Sequence, residues 1–158
     1  MPQRLPLDFV VLLSLAAVLG LGGIYGFARA MPPDGRIDAS EAHAMAARGE
    51  ISILDVRAER EWRQTGLAQG AVGASIHNPD GRDGFIAAAL VAVRGDLDRP
   101  VATIAETGVR STKAQAWLVA AGFTQVYNIK EGMFGRYDET GAEPGWLNRG
   151  LPVVSYPN

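Results

Sequence analysis

The segment from Val101 to Ser111 constrains this chain most. Val101-Ala102-Thr103-Ile104-Ala105 is a short apolar run with β character. Glu106-Thr107-Gly108-Val109-Arg110 is a tight loop containing glycine, and a helical pattern begins at Ser111. A strand that hands over to a helix across so short a loop is the repeating unit of an α/β fold with a mainly parallel sheet. The same geometry aims backbone N–H groups and a helix N-terminus at any small anion entering the loop. Chains built this way commonly carry a nucleophile at the first loop position. Here that position is Ala105, and the 158-residue chain contains no cysteine.

That absence excludes disulfides, thiolate chemistry and cysteine-ligated metals. The length suits one domain with an appendage. A net charge of −2 gives no electrostatic reason to expect nucleic acid as a partner. The two histidines, His43 and His77, are too isolated to form a recognisable metal site. Neither a metal nor a cofactor is expected.

The appendage is the N-terminus. Residues 1–8 form a tail, and Phe9 to Ala28 is a run without a single charge. As a helix rising about 1.5 Å per residue it spans roughly 30 Å, the thickness of a bilayer's hydrocarbon core. The run is longer than the roughly 7–15 apolar residues of a secretory signal, which favours an uncleaved anchor. Ala28-Arg29-Ala30 nevertheless has the small-residue pattern of a cleavage site. Gly22 with Gly26, and Ala16 with Gly20, have the spacing that lets membrane helices approach closely, although glycine is also simply tolerated there. Arg29, Arg36 and Arg48 follow the span while Arg4 precedes it, a count that would hold the following domain in the cytoplasm. The cleavage-like site and the short tail argue the other way. The expectation is a single-pass membrane protein whose soluble domain lies on the periplasmic side.

Residues 29–36, with Pro32, Pro33 and Gly35, read as a linker, and residues 37–156 as the domain. Within it Ser40 is the expected N-cap of a helix over 41–48 that Gly49 ends. Residues 51–54 form a buried strand, and 58–64 are helical up to Gly66. Residues 74–76 form a short strand stopped by Asn78-Pro79, and 80–84 a loop. Residues 85–93 form a helix with Phe85, Ala89, Leu90 and Val93 on one face. The strand 101–105, the helix 112–121 ended by Gly122, and a strand 125–129 follow. The Gly- and Pro-rich remainder reads as an ordered wrap anchored by Trp146, Leu147, Leu151 and Val153. In such sheets ligands bind beyond the carboxyl ends of the strands. Both Asp55-Val56-Arg57 and the loop after Ala105 fall there.

Taken together, these residues resemble the rhodanese (thiosulfate sulfurtransferase) superfamily. Ile53-Leu54-Asp55-Val56-Arg57, then Glu61-Trp62, Gly66 and Gly70-Ala71, is similar to its N-terminal signature. Thr107-Gly108-Val109-Arg110-Ser111, then Leu118, Ala121-Gly122-Phe123 and Val126-Tyr127-Asn128, is similar to its active-site half. Glu131-Gly132-Met133 and residues 146–153 resemble its closing segments. The resemblance implies a cysteine at the first loop position that carries a sulfane sulfur, and a six-residue loop suited to sulfur. Residues 105–110 make such a loop, with Ala105 where the cysteine would be. Glu106 follows, and Leu67 stands where the family often has histidine.

A methyl group neither attacks nor carries sulfur, so no catalytic residue is assigned. Ala105, Glu106, Thr107, Gly108, Val109, Arg110 and Ser111 are the candidate anion loop. Asp55, Arg57 and His77 are candidate pocket supports. For Asp55 and Arg57 an ion pair between strand end and loop is the simpler reading. Arg110 reads equally as an anion ligand or a clamp on the loop, and Thr107 and Ser111 as donors to an anion, with Ser111 equally a plain N-cap. Glu106 reads first as a solvated charge, and it opposes anion binding. His43 reads as a surface histidine, and Trp62, Trp117 and Trp146 as core. The expected function is a membrane-tethered, rhodanese-like binding or scaffolding module, held through residues 9–28 near an unidentified protein partner and without sulfurtransferase activity. If Ala105 is an engineered replacement for cysteine, the chain is instead an active persulfide carrier. Glu106, which a single designed change leaves unexplained, favours a natural alanine. A third reading is a weak small-anion sensor.

Overall fold

Thr103 sits at the middle of the sheet with a parallel strand on each side, its neighbours being Leu54 and Asn128. The structure, a computed structural model, describes residues 31–139 and 141–157. The expected tail 1–8, membrane helix 9–28 and first linker residues lie outside them. Among the described residues no helix is long and apolar enough to cross a membrane.

In chain order the elements are β1 (Arg36–Ile37), α1 (Ala39–Ala47), β2 (Ser52–Asp55), α2 (Glu59–Thr65), β3 (Leu67–Ala68), β4 (Ala71–Gly73) and α3 (Gly81–Ala92). There follow β5 (Val101–Ile104), α4 (Val109–Ala120), β6 (Val126–Ile129), β7 (Gly135–Asp138), β8 (Gly141–Pro144) and β9 (Val153–Val154). Five strands form one sheet in the order β1-β6-β5-β2-β4, every pairing parallel. Antiparallel pairs β3–β9 and β7–β8 stand apart from it. The fold is thus α/β with a parallel sheet flanked by helices, as the alternation of short apolar runs and helical patterns implies.

Side chains alternate across the sheet, so consecutive residues feed two cores. Ile53 joins Ile37, Ala42, Met45 and Trp146 on the α1 face. Leu54 joins Phe85, Ala89, Leu118 and Phe123 on the face covered by α3 and α4. Strands β5 and β6 are buried along their whole length. Trp62 and Trp146 are core residues, whereas Trp117 is half-buried beneath the Lys113 ammonium, 4.8 Å from its ring centre.

Several element ends differ from the sequence expectation. The cap of α1 is Asp38, whose carboxylate accepts from the Glu41 N–H at 2.8 Å, and Ser40 lies inside the helix. Helix α3 begins at Gly81 rather than 85, so two glycines form its first turn. The strand expected over 74–76 lies at 71–73, in register with β2. Residues 74 and 76 only extend its bonding, through their N–H groups to the Asp55 and Val56 carbonyls. His43 is not a plain surface residue: it is half-buried and meets Trp146 edge-on at 5.4 Å.

The C-terminal segment contains a hairpin that was not expected. The chain leaves at Phe134 and returns at Trp146, where the Trp146 and Leu147 N–H groups donate to the Gly132 and Met133 carbonyls at 3.0 and 2.9 Å. Residues 134–145, carrying β7 and β8, are therefore an excursion from a closed base. Arg149 staples that base. Its Nε donates to the Pro144 carbonyl at 2.7 Å and its Nη2 to Glu131 Oε1 at 2.8 Å. Glu131 is fully buried, and its Oε2 has no hydrogen-bond partner among the described residues.

Arg149→Ala therefore leaves a buried carboxylate with no cation and is expected to cost about 3 kcal/mol in urea unfolding. Pairing it with Glu131→Leu should return most of that loss. A loss below about 1 kcal/mol would show that Arg149 is not the staple.

Candidate active site frame

Strand β5 ends by delivering Ala105 into the core, fully buried. It shares a cluster with Ala74, Ile76 and Phe85. The loop that follows is held from behind by main chain. The Ala105 carbonyl accepts from the Met133 N–H at 2.8 Å, and the Glu106 carbonyl from the Phe134 N–H at 3.0 Å. Gly132, at φ +65°, makes this approach possible, because a Cβ there would lie 2.6 Å from both carbonyl oxygens. Gly108, at φ +87°, is the N-cap of α4, and a Cβ at that position would collide with the Lys130 carbonyl. Only glycine takes that left-handed turn without strain or collision.

The left-handed cap starts α4 at Val109, ahead of the expected position, and places Ser111 in its first turn. Ser111 is thus not the N-cap. Its buried hydroxyl lies 2.8 Å from the Gly108 carbonyl and 2.7 Å from Asn128 Oδ1, and donates its single proton to one of them. Asn128 in turn donates to Thr112 Oγ1 at 2.9 Å. Thr103 Oγ1 lies 3.2 Å from both the Ser111 and Tyr127 carbonyls. This buried polar network holds the start of α4 to β5 and β6. Thr107 is exposed and makes no such contact.

Arg110 faces the front of the loop and acts as a clamp. Its Nη1 and Nη2 donate to Glu61 Oε2 and Oε1 at 2.7 and 2.6 Å, and Nη2 also reaches Glu106 Oε2 at 3.1 Å. Glu61 additionally accepts from the Ala58 N–H at 2.9 Å at the start of α2. The Arg110 guanidinium, helped by that backbone donor, holds the Glu61 carboxyl down to about 2, and the Glu61 carboxylate in turn raises Arg110. The pairing's contribution to stability is complete above the ordinary carboxylate value and is lost as pH falls toward 2. Glu106 is the exposed member, with 55% of its side chain in solvent against 17% for Glu61.

Asp55 and Arg57 form the expected ion pair, both fully buried. Arg57 Nη2 lies 2.7 Å from Asp55 Oδ2 and 2.8 Å from the Gly66 carbonyl, while Nη1 reaches Thr65 Oγ1 at 2.8 Å. Two buried opposite charges, with Nε, Nη1 and Nη2 of Arg57 all hydrogen-bonded, brace the frame. His77 is exposed, and no hydrogen bond or ion pair among the described residues brings it to the loop.

Glu61, Asn128, Gly132 and Phe134 were not among the candidate site residues, yet each touches the loop. A signal existed for Glu61, which stands three residues after Ala58 where a capping glutamate belongs. None existed for its pairing with Arg110, 49 positions away.

The rhodanese-like domain family matches residues 38–138. The thiosulfate sulfurtransferase GlpE of Stutzerimonas stutzeri (strain A1501) is 35% identical over 98 residues, covering 61% of this chain and 79% of that protein. The crystal structure of Rv0390 from M. tuberculosis superposes with a TM-score of 0.59 at 29% identity, over 77% of this chain and 98% of the other. The rhodanese-like domain from the Alr3790 protein of Anabaena sp. shares the fold, with a TM-score of 0.56 at 19% identity over 77% of this chain and 80% of the other. The chain belongs to the rhodanese-like domain family.

Proposed function

We propose that this chain is a non-catalytic member of the family, a binding module tethered to a membrane through residues 9–28. One observation carries the reading: Ala105, buried, occupies the position where sulfur transfer needs a thiolate, and no cysteine exists anywhere in the sequence to replace it. The relative from S. stutzeri is described as a thiosulfate sulfurtransferase. That activity requires a nucleophile this chain lacks. What it keeps is a rigid loop displayed at the carboxyl edge of the sheet. Tethering rests on the uncharged run from Phe9 to Ala28, long enough to cross a bilayer.

A small-anion sensor is disfavoured by the charges on the loop. Arg110 is held by Glu61 on both edges and also by Glu106, so one cation faces two carboxylates. An incoming anion would have to displace a bidentate pair, among the strongest polar contacts a protein makes.

Thiosulfate:cyanide sulfurtransferase assays should give no turnover above a heat-killed control. Ala105→Cys should give weak turnover, rising about fivefold when Glu106→Gln removes one like charge beside the incoming dianion. Turnover by the unaltered chain would end the non-catalytic reading. Calorimetric titration with thiosulfate, sulfite and phosphate should find no sub-millimolar binding, whereas Glu61→Gln, which removes the bidentate partner and leaves Arg110 only Glu106, should bind these anions measurably more tightly. Equal binding by both proteins would mean that the clamp does not block the loop. With the domain on the periplasmic side, an alkaline phosphatase reporter fused after Asn158 should be active, and activity of only a cytoplasmic reporter would put the domain on the other side.

A further inference from the structure

Helix α2 is seated by a single side chain. Of residues 59–65 only Trp62 is buried. It belongs to neither of the two clusters that cover the faces of the sheet. Its ring packs against Gly73 at the end of β4, where a Cβ would come 2.8 Å from it. It also packs against Tyr156, with ring centres 5.2 Å apart and planes tilted by 60°. Such a contact holds through apolar area and ring geometry, and it is lost once the rings part.

Tyr156 arrives on a strap that leaves the core at Trp146. Pro152 is the strap's firm point, because its carbonyl accepts from Trp146 Nε1 at 2.8 Å and from the Gln69 N–H at 3.0 Å. Two residue pairs, Leu67 with Val154 and Ala68 with Val153, then join it to β3. Val154 passes close over the end of α2, where a Cβ on Gly66 would lie 2.7 Å from its carbonyl oxygen. Of residues 152–157 only Tyr156 is not exposed. Closure is also opposed from within. The indole N–H of Trp62 is buried with no acceptor among the described residues. A donor in that position has lost its bond to water without replacement, and opening returns it. Segments with few buried contacts are the ones that open locally.

What the strap seats is the clamp on the loop. Glu61 precedes Trp62, and its carboxylate takes Nη1 and Nη2 of Arg110 at 2.7 and 2.6 Å. The Arg57 brace grips α2 only at its far end, on Thr65 and Gly66. The first turn, which carries Glu61, has Trp62 as its buried anchor. We infer that the strap is an autoinhibitory latch. Tyr156 on Trp62 keeps α2 seated, and α2 keeps Glu61 on Arg110. Lifting the strap leaves Arg110 only Glu106 and opens its guanidinium to a small anion at the loop. Coupling between two sites is reciprocal, so an anion that takes Arg110 from Glu61 loosens the strap in turn. The latch goes beyond the non-catalytic reading and does not depend on it.

Hydrogen exchange and thiosulfate titration of the full-length protein test this together. Tyr156→Ala should speed amide exchange over residues 61–66 about tenfold, while Tyr156→Phe, which keeps the ring, should leave it unchanged. Tyr156 is half-buried, so neither variant threatens folding. The alanine variant should also bind thiosulfate about fivefold more tightly, followed by chemical shifts into the millimolar range. In a Glu61→Gln background Tyr156→Ala should add no further gain, because the clamp it releases is already gone. Unchanged exchange over α2 in Tyr156→Ala would overturn the inference, and so would faster exchange with unchanged thiosulfate affinity. A gain that adds in full to that of Glu61→Gln would show a route other than the clamp and would overturn it too. None of these measurements involves sulfur transfer. Turnover by the unaltered chain removes the non-catalytic reading and leaves the latch standing, whereas unchanged exchange removes only the latch.

Discussion

The frame depends on one buried guanidinium. Arg57 joins the end of β2, through Asp55, to Thr65 and Gly66 where α2 stops. Burying two opposite charges is costly unless every donor and acceptor is engaged, and removing either partner strands the other in the core. Because β2 is flanked by β5 and β4, whatever fixes its carboxyl end also fixes the edge from which the loop at Ala105 projects. The front clamp relies on the same brace, since Glu61 sits on α2.

The loop's shape owes nothing to the side chain at its first position. Main-chain bonds from Met133 and Phe134, a left-handed glycine cap and the Ser111–Asn128 network hold it from three sides. A methyl group at Ala105 packs into the apolar cluster with Phe85 without disturbing any of these. The architecture of a reactive site and its reactivity are therefore separable. The family relation fixes the first and says nothing of the second.

How much of this was readable in the sequence differed by element. Strands β5 and β6 were clear because every residue in them is buried, leaving runs that are apolar apart from Thr103 and Asn128. Helix starts were displaced because capping is a competition among nearby groups. Asp38 outdid Ser40 through a direct bond to Glu41, and Gly108 outdid Ser111 through a backbone turn that no propensity scale records. The glycines at 81 and 84 concealed the first turn of α3. The β7–β8 hairpin was invisible because its strands are short, polar and rich in glycine. The clamp between Glu61 and Arg110 left no local trace, because its partners are distant in the chain and are joined only by the sheet.

The order of the sheet also dictates when the protein can become whole. Among the described residues β1 lies at an edge of the sheet and pairs only with β6, Arg36 opposite Asn128. A chain emerging from the ribosome can assemble β2, β4 and β5 while β1 still has no neighbour, and contacts so far apart in sequence are the slow ones to form. The residues nearest the N-terminal run are thus the last of the sheet to lock. Throughout synthesis that run belongs to a nascent chain whose first strand is still unclaimed.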